Sequence, residues 1–241
     1  MYSHYKINRR NLKPMTESKK EALAQFHRKN ILQAAQTLFA QKSFAGTTMD
    51  EIATLSQYSK ATIYVYFKSK EEILQHLTYS SMQKLYEHLH KAITENTSFF
   101  ECFKSLCYEL VSYYQREPLY FELSQKTINS DDVSKETPQA VKDTGNAVRM
   151  INSDIAFFLQ NGIDEGIVHS NLKLLPATFW LWGSITGIIR LAFQKEMYIL
   201  RAMEMTKIEF LDYNFKLILQ GLLKPEIENL YDKTKCTCPA L

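Results

Sequence analysis

Apolar residues return along this chain at helical spacing, and almost nowhere do they alternate with polar ones. Between about Lys20 and Gln41, Ile31, Leu32, Ala35, Leu38 and Phe39 share one face and predict a first helix. Phe44-Ala45-Gly46-Thr47 interrupts it, and two short helices follow, Met49–Leu55 and Lys60–Tyr66. A long helix begins after Ser69, with Ile73, Leu77, Ser81, Leu85 and Leu89 recurring every four residues. Its start and that of the second helix read Ser69-Lys70-Glu71-Glu72 and Thr48-Met49-Asp50-Glu51. In both, a hydroxyl can cap a first-turn amide while a Glu reaches back. Ser98-Phe99-Phe100-Glu101 repeats the pattern and opens a helix to about Gln115; Pro118 suits the first turn of another, to about Ile128. The polar stretch Asn129–Pro138 reads as a loop, and a helix from about Gln139 to Asn161 is stopped by Gly162 and Asp164-Glu165-Gly166. Pro176 begins a helix that lacks charge, and the last runs from Met203 to about Leu222, before Pro225. The expected fold is all-α, without internal repeats.

Composition narrows the function classes. With 45% hydrophobic residues and only 7 Gly and 6 Pro in 241 residues, the chain can bury a core and has few breakers. The net charge of +3 is unevenly spread: residues 1–72 hold 12 Lys/Arg against 6 Asp/Glu, and the rest 17 against 20. A basic N-terminal third on a mildly acidic body suits a nucleic-acid reader joined to something else. Four cysteines make no disulfide framework at this size, and Cys236-Thr-Cys238 lacks a second metal-ligand pair. Glu87-x-x-His90 is half of a di-iron helix motif with no second copy. His88 and His90 point in different directions on a helix. With no nucleophile elbow, phosphate loop or zinc spacing, neither catalytic residues, nor a metal site, nor a cofactor is expected, and the chain does not read as an enzyme. Met1–Pro14 has no apolar segment of the signal-peptide kind. Leu174–Ile189 is uncharged but only 16 residues long, against about 20 needed to span a bilayer. A cytoplasmic protein without membrane partners is expected.

Residues 28–77 carry the most specific signal. In a helix-turn-helix the first helix crosses the DNA backbone and positions the second, whose exposed side chains enter the major groove. Here Ile52 and Ala53 would pack inward and Ile63 would anchor the third helix from beneath, leaving Ser59, Lys60, Thr62, Tyr64 and Tyr66 outward. The segment resembles the DNA-binding domain of TetR-family transcriptional repressors. The resemblance rests on Ile31, Ala34, Ala35, Phe39, Thr47-Thr48, Ile52-Ala53, Ser59-Lys60, Thr62-Ile63-Tyr64, Tyr66-Phe67-Lys68, Lys70-Glu71 and Ile73-Leu74.

That resemblance implies an N-terminal three-helix reader joined by a long helix to a larger helical domain for ligand binding and dimerisation. The corresponding boundaries are a basic arm at 1–19, the reader at 20–70, the body at 71–225 and a tail at 226–241. It implies phosphate contacts from Thr48, Tyr64, Tyr66 and Lys70, with Lys68 beside them. Lys60 and Thr62 become the base-edge readers, and Ser59 mixes capping with contact. Phosphate contacts fix register while base contacts specify sequence. Three positions depart from the family pattern. Gln57 stands where Gly is usual, Tyr58 where a small aliphatic residue is usual, and Ala61 where Gly is common. A non-glycine residue at positive φ costs about 1 kcal/mol; the Ala61 methyl bears on how closely the backbone approaches DNA. The arm either follows the minor groove or serves only as a solubilising extension.

In the body, Gly183 and Gly187 lie four apart on the uncharged helix, where small residues let helices approach closely. With Trp182, Thr186, Phe210, Tyr213, Asn214 and Leu217 they are candidates for a homodimer face, in keeping with the four-helix dimers of TetR-like proteins. The alternative is an intramolecular neighbour. An effector cavity is likewise implied by the resemblance, and a mid-chain wealth of aromatics favours a mainly apolar or aromatic ligand. Phe103, Cys107, Tyr113, Phe121, Phe157 and Trp180 are its candidate lining. The sequence therefore reads as a homodimeric repressor released from double-stranded operator DNA by a small-molecule effector. Two alternatives stay open. One is a DNA-bound architectural or division-associated protein without inducer; the other is a small-molecule-binding protein or enzyme that has lost DNA recognition.

Overall fold

A computed structural model describes residues 17–125 and 137–228. The arm up to residue 16, most of the expected 129–138 loop, the predicted helical end at Ile128, and the tail with Cys236 and Cys238 lie outside the described residues. The chain divides into two compact units, one ending at Leu74 and the other beginning at Gln75. Helix α4 (Lys70–Thr94) carries the chain from one to the other.

The first unit holds α1 (Glu17–Lys42), α2 (Met49–Ser56), α3 (Lys60–Tyr66) and the start of α4. Residues 17–19, expected in the arm, are already helical. Ile31, Ala34, Ala35 and Phe39 of α1 are buried with Ile52 and Ala53 of α2, Ile63 of α3, Phe67 and Ile73. Leu32 and Leu38, expected in that core, are only half-buried, because they lie at the edges of the apolar stripe. Each fully buried aliphatic side chain contributes roughly 1.5–3 kcal/mol. Helix α1 ends at Lys42, where Ser43 takes φ 66°, and the turn to α2 closes at Gly46. A Cβ at Gly46 would lie 2.4 Å from the Lys42 carbonyl oxygen, so this close approach needs glycine.

The second unit is built from the rest of α4, α5 (Phe99–Arg116), α6 (Pro118–Ser124), α7 (Gln139–Asp164), α8 (Leu174–Gln194), α9 (Glu196–Met203) and α10 (Lys207–Gln220). All of Leu77, Ser81, Leu85 and Leu89 are buried, as their four-residue spacing predicts. The Tyr113 phenol on α5 donates to the Ser81 carbonyl at 2.8 Å, Tyr108 donates to Asp212 of α10, and Arg190 of α8 pairs with Glu122 of α6. Helix α8 packs against α5, α7 and α10. Among the described residues the regular elements are helices, with one isolated antiparallel bridge between Val168 and Leu223.

Four sequence expectations are corrected. Ser98 precedes α5 but makes no capping hydrogen bond. Gly162 does not stop α7; it is buried inside the helix because the Phe99 ring and Val168 press against it, and the left-handed residue after the helix is Gly166, φ 75°. The expected helix from Met203 begins only at Lys207: Met203 instead ends α9, and Glu204, at φ 54°, separates the two helices. After it, Thr206 and Glu209 form a complete capping box that starts α10. Finally, α8 is 21 residues long and, by length and composition alone, meets the requirement for crossing a membrane, with 33% of its most apolar stretch buried. The uncharged run is thus not enclosed on all sides: one face packs inward and the other stays open.

Candidate nucleic-acid interface

Helices α2 and α3 owe their positions to local chemistry. The Thr48 hydroxyl accepts from the Glu51 amide at 3.3 Å, while the Glu51 carboxylate accepts from the Thr48 amide at 2.9 Å. Lys42 also pairs with Glu51. The Lys42 ammonium first, then the Thr48 amide, hold the Glu51 carboxyl down at about 2. Gln57 ends α2 in the left-handed region at φ 60° without a glycine. Ser59 caps α3 by accepting from the Thr62 amide at 3.1 Å. At Ser69 only half of the expected box forms: its hydroxyl takes the Glu72 amide, but Glu72 accepts from the Lys68 amide instead.

The departure at Tyr58 is met from α1. The Tyr58 hydroxyl lies 2.6 Å from His27 Nδ1 and accepts from Asn30 Nδ2 at 3.3 Å. The His27 ring meets Tyr58 edge-on at 5.1 Å and lies 5.6 Å from Tyr66. A large polar ring at position 58 therefore hydrogen-bonds the turn to α1, where a small aliphatic residue would only pack. Sequence reasoning missed His27 and Asn30, since their partner lies 28 to 31 residues away.

With Ile63 fully buried, α3 turns its other side chains outward. Ser59, Lys60, Ala61, Tyr64 and Lys68 are exposed, and Thr62, Tyr66 and Lys70 are half-buried. Several are already engaged. Lys60 Nζ pairs with Asp50 of α2 at 2.9 Å, and this carboxylate raises the lysine's pKa. The Thr62 hydroxyl lies 2.8 Å from that of Ser59, and the Thr48 hydroxyl donates to Glu51. Lys70, expected to meet phosphate, instead donates to the carbonyls of Phe44 and Thr47, each at 2.7 Å, with its ammonium over the Phe44 ring. Two of its three protons thus brace the α1–α2 turn. The most exposed large hydrophobic side chain among the described residues is Val65, at 76%, which the sequence reading left out. Its position two residues from the anchor Ile63 was the available signal.

The body residues sort differently from expectation. Phe103, Cys107, Tyr113 and Phe121 are each buried on α5 and α6, and the Tyr113 and Phe121 rings lie 6.3 Å apart. Burial pushes the Tyr113 phenol well above its ordinary value. Phe157 is 58% exposed and does not join them, because it points away from the buried stripe of Ile151, Ile155 and Phe158. Trp180 is also exposed; it lines an apolar surface groove with Gly183, Gly187, Leu191, Asn214 and Leu217. Of the residues assigned to the dimer face, Gly183, Gly187, Tyr213 and Leu217 are exposed, while Trp182 and Asn214 are half-buried. Thr186 and Phe210 are buried within the chain and cannot form an outer face; the Thr186 hydroxyl donates to the Trp182 carbonyl. His88 and His90 reach different helices, pairing with Glu109 of α5 at 2.7 Å and Asp154 of α7 at 2.8 Å. Among the described residues no group of three or more His, Cys, Asp and Glu is arranged to hold a metal.

A short capped helix, held from beneath by one buried Ile and presenting hydroxyl, amino and phenol groups, makes this a helix-turn-helix DNA-binding protein. Residues 31–77 match the family described as bacterial regulatory proteins, tetR family. Across 146 residues the chain is 23% identical to an uncharacterized HTH-type transcriptional regulator, YhgD, of Bacillus subtilis, covering 61% of this chain and 72% of that one. It is 26% identical over 173 residues to the HTH-type transcriptional regulator TtgR of Pseudomonas putida, covering 69% and 80%. In fold it is similar to the transcriptional regulator FadR from Bacillus subtilis, solved in complex with stearoyl-CoA. That match has a TM-score of 0.60 at 18% identity over 80% of this chain and 98% of that one. Residues 31–77 thus carry a tetR-family DNA-binding domain, and the chain is a DNA-binding transcriptional regulator.

Proposed function

We propose that this regulator is a cytoplasmic homodimeric repressor, released from a double-stranded operator when a small, mainly apolar or aromatic effector binds its larger unit. The observation that carries the DNA-binding half is the outward face of α3, with Lys60, Ala61 and Tyr64 exposed above a fully buried Ile63. Lys60 and Thr62 read base edges, and Tyr64, Tyr66 and Lys68 meet phosphates. Thr48, Ser59 and Lys70 act chiefly by holding the helices that present them, as their internal hydrogen bonds support. The open groove between α8 and α10, lined by Trp180, Gly183, Gly187, Asn214 and Leu217, is the face for a second copy. The aromatic core of α5 and α6 supports an apolar effector, and FadR's stearoyl-CoA complex gives a chemical precedent on the same fold. For release, the effector must bind the DNA-incompetent arrangement more tightly than the competent one.

The test is selection of sites from a random duplex library by the full-length protein, followed by binding across a salt series. Lys60→Ala is expected to weaken binding at least tenfold and relax preference at one position, whereas Lys68→Ala weakens all sequences alike and lowers the salt slope by about 1. Long-chain acyl compounds and planar aromatics are then screened for release of that DNA. Unchanged affinity and salt slope in both variants would overturn the DNA-binding assignment.

A further inference from the structure

Ala61 and Val65 lie four residues apart on α3 and so form one ridge of that helix. Both are exposed, Val65 to 76%, and Ile63 between them is turned to the opposite side and fully buried. Of the polar side chains that flank this ridge, Lys60 is drawn toward Asp50 and the Thr62 hydroxyl toward Ser59, while Tyr64 stands exposed beside it. The ridge itself is apolar. A valine side chain neither donates nor accepts a hydrogen bond, so it cannot distinguish base edges by their donors and acceptors. The one apolar feature that base pairs present in the major groove is the thymine 5-methyl group. Valine also has essentially one side-chain rotamer in a helix, so its two methyls are held in place before DNA arrives.

We propose that Val65, seated beside Ala61, is a specificity-determining residue that reads the 5-methyl group of a thymine in each half-site. This rests on the reading that α3 enters the major groove, and it names what the centre of the helix recognises there. It also accounts for Ala61 in place of the more common glycine: the added methyl widens the apolar ridge that meets the base.

The experiment uses the full-length protein and the best duplex selected from a synthetic, unmethylated random library, so that any pyrimidine methyl read is thymine's. Each thymine of the half-site is replaced in turn by deoxyuridine, which removes only the methyl and keeps every base-pair hydrogen bond. Wild-type protein is expected to lose about fourfold in affinity per half-site at one thymine, the equivalent of one buried methyl group. Val65→Ala, a change on an exposed surface that leaves the core intact, is expected to bind the thymine and deoxyuridine duplexes equally. Conversely, the inference is overturned if no thymine position shows the loss, or if Val65→Ala shows the same loss as wild type. Should wild-type protein enrich no sequence at all, the DNA-reading assignment falls and this inference with it. Enrichment with Val65-independent methyl sensitivity overturns this inference alone.

Discussion

Replacing Gly187 by alanine separates what holds one chain together from what joins two. Gly187 sits within α8, and a Cβ built there meets no atom within 4 Å inside the chain. For a single chain the change relieves a helix-interior glycine and is worth up to about 1 kcal/mol in favour of the fold. Its effect on a dimer has the opposite sign. In a twofold contact across the α8–α10 groove the new methyl enters the interface twice, once from each copy. Inserting a methyl into a close-packed surface costs roughly 1–3 kcal/mol, so association should weaken by roughly 2–6 kcal/mol. The lower figure corresponds to about a 30-fold rise in the dimer dissociation constant. Sedimentation equilibrium over a dilution series measures that constant, and circular dichroism checks that helix content is unchanged. Binding to a two-half-site duplex should fall in parallel, with affinity for an isolated half-site unaltered. A dissociation constant within about twofold of wild type, with the helix intact, would refute the assignment of this groove to a second copy.

Two further substitutions probe the folds of the separate units. At Gly162 a Cβ would lie 2.5 Å from Phe99 Cε2 and 2.6 Å from Val168 Cγ2. The Phe99 ring is stacked on Phe158 at 4.6 Å and cannot swing clear without giving up that contact. Gly162→Ala should therefore destabilise the second unit by up to about 2 kcal/mol, the overpacking cost less the helix-propensity gain. A raised melting temperature in calorimetry would contradict this. In the first unit, Glu51 is held at about 2, against an ordinary 4.5, by Lys42 and the Thr48 amide. Because the folded-state value is depressed, its contribution is present above pH 4.5 and is lost as pH falls from there toward 2. Glu51→Gln removes that dependence, so α2 amide exchange should vary less with pH over that window than in wild type. Parallel profiles would count against the capping box as its source.

Much of the reader was legible because its signals are local. The Thr48–Glu51 box and the Ser59 cap each span three residues, and the hydrogen bonds form as the spacing requires. The four-residue beat of Leu77, Ser81, Leu85 and Leu89 needs only a helix to bring one side together. Where the reading failed, a distant partner or an unmarked backbone turn decided. Nothing at Glu204 announces a left-handed residue, although Thr206-x-x-Glu209 just after it was a readable start. Gly162 looks like a helix stop, and only the arrival of Phe99 from another helix shows why glycine is needed there.

The sequence alone determined the all-α class, the caps and register of α2 and α3, and the residue types that α3 offers to DNA. Those follow from hydrogen bonds and apolar spacing within one or two turns of helix. Tertiary structure decided which of those side chains remain available. It turned Lys70 onto two carbonyls of the α1–α2 turn, fastened Tyr58 to His27 and Asn30, and left Val65 as the most exposed apolar side chain of α3. It also moved Trp180 out to the α8 groove and drew Thr186 and Phe210 inward. Helical spacing says which residues share a side; which side is covered depends on helices brought in from elsewhere in the chain.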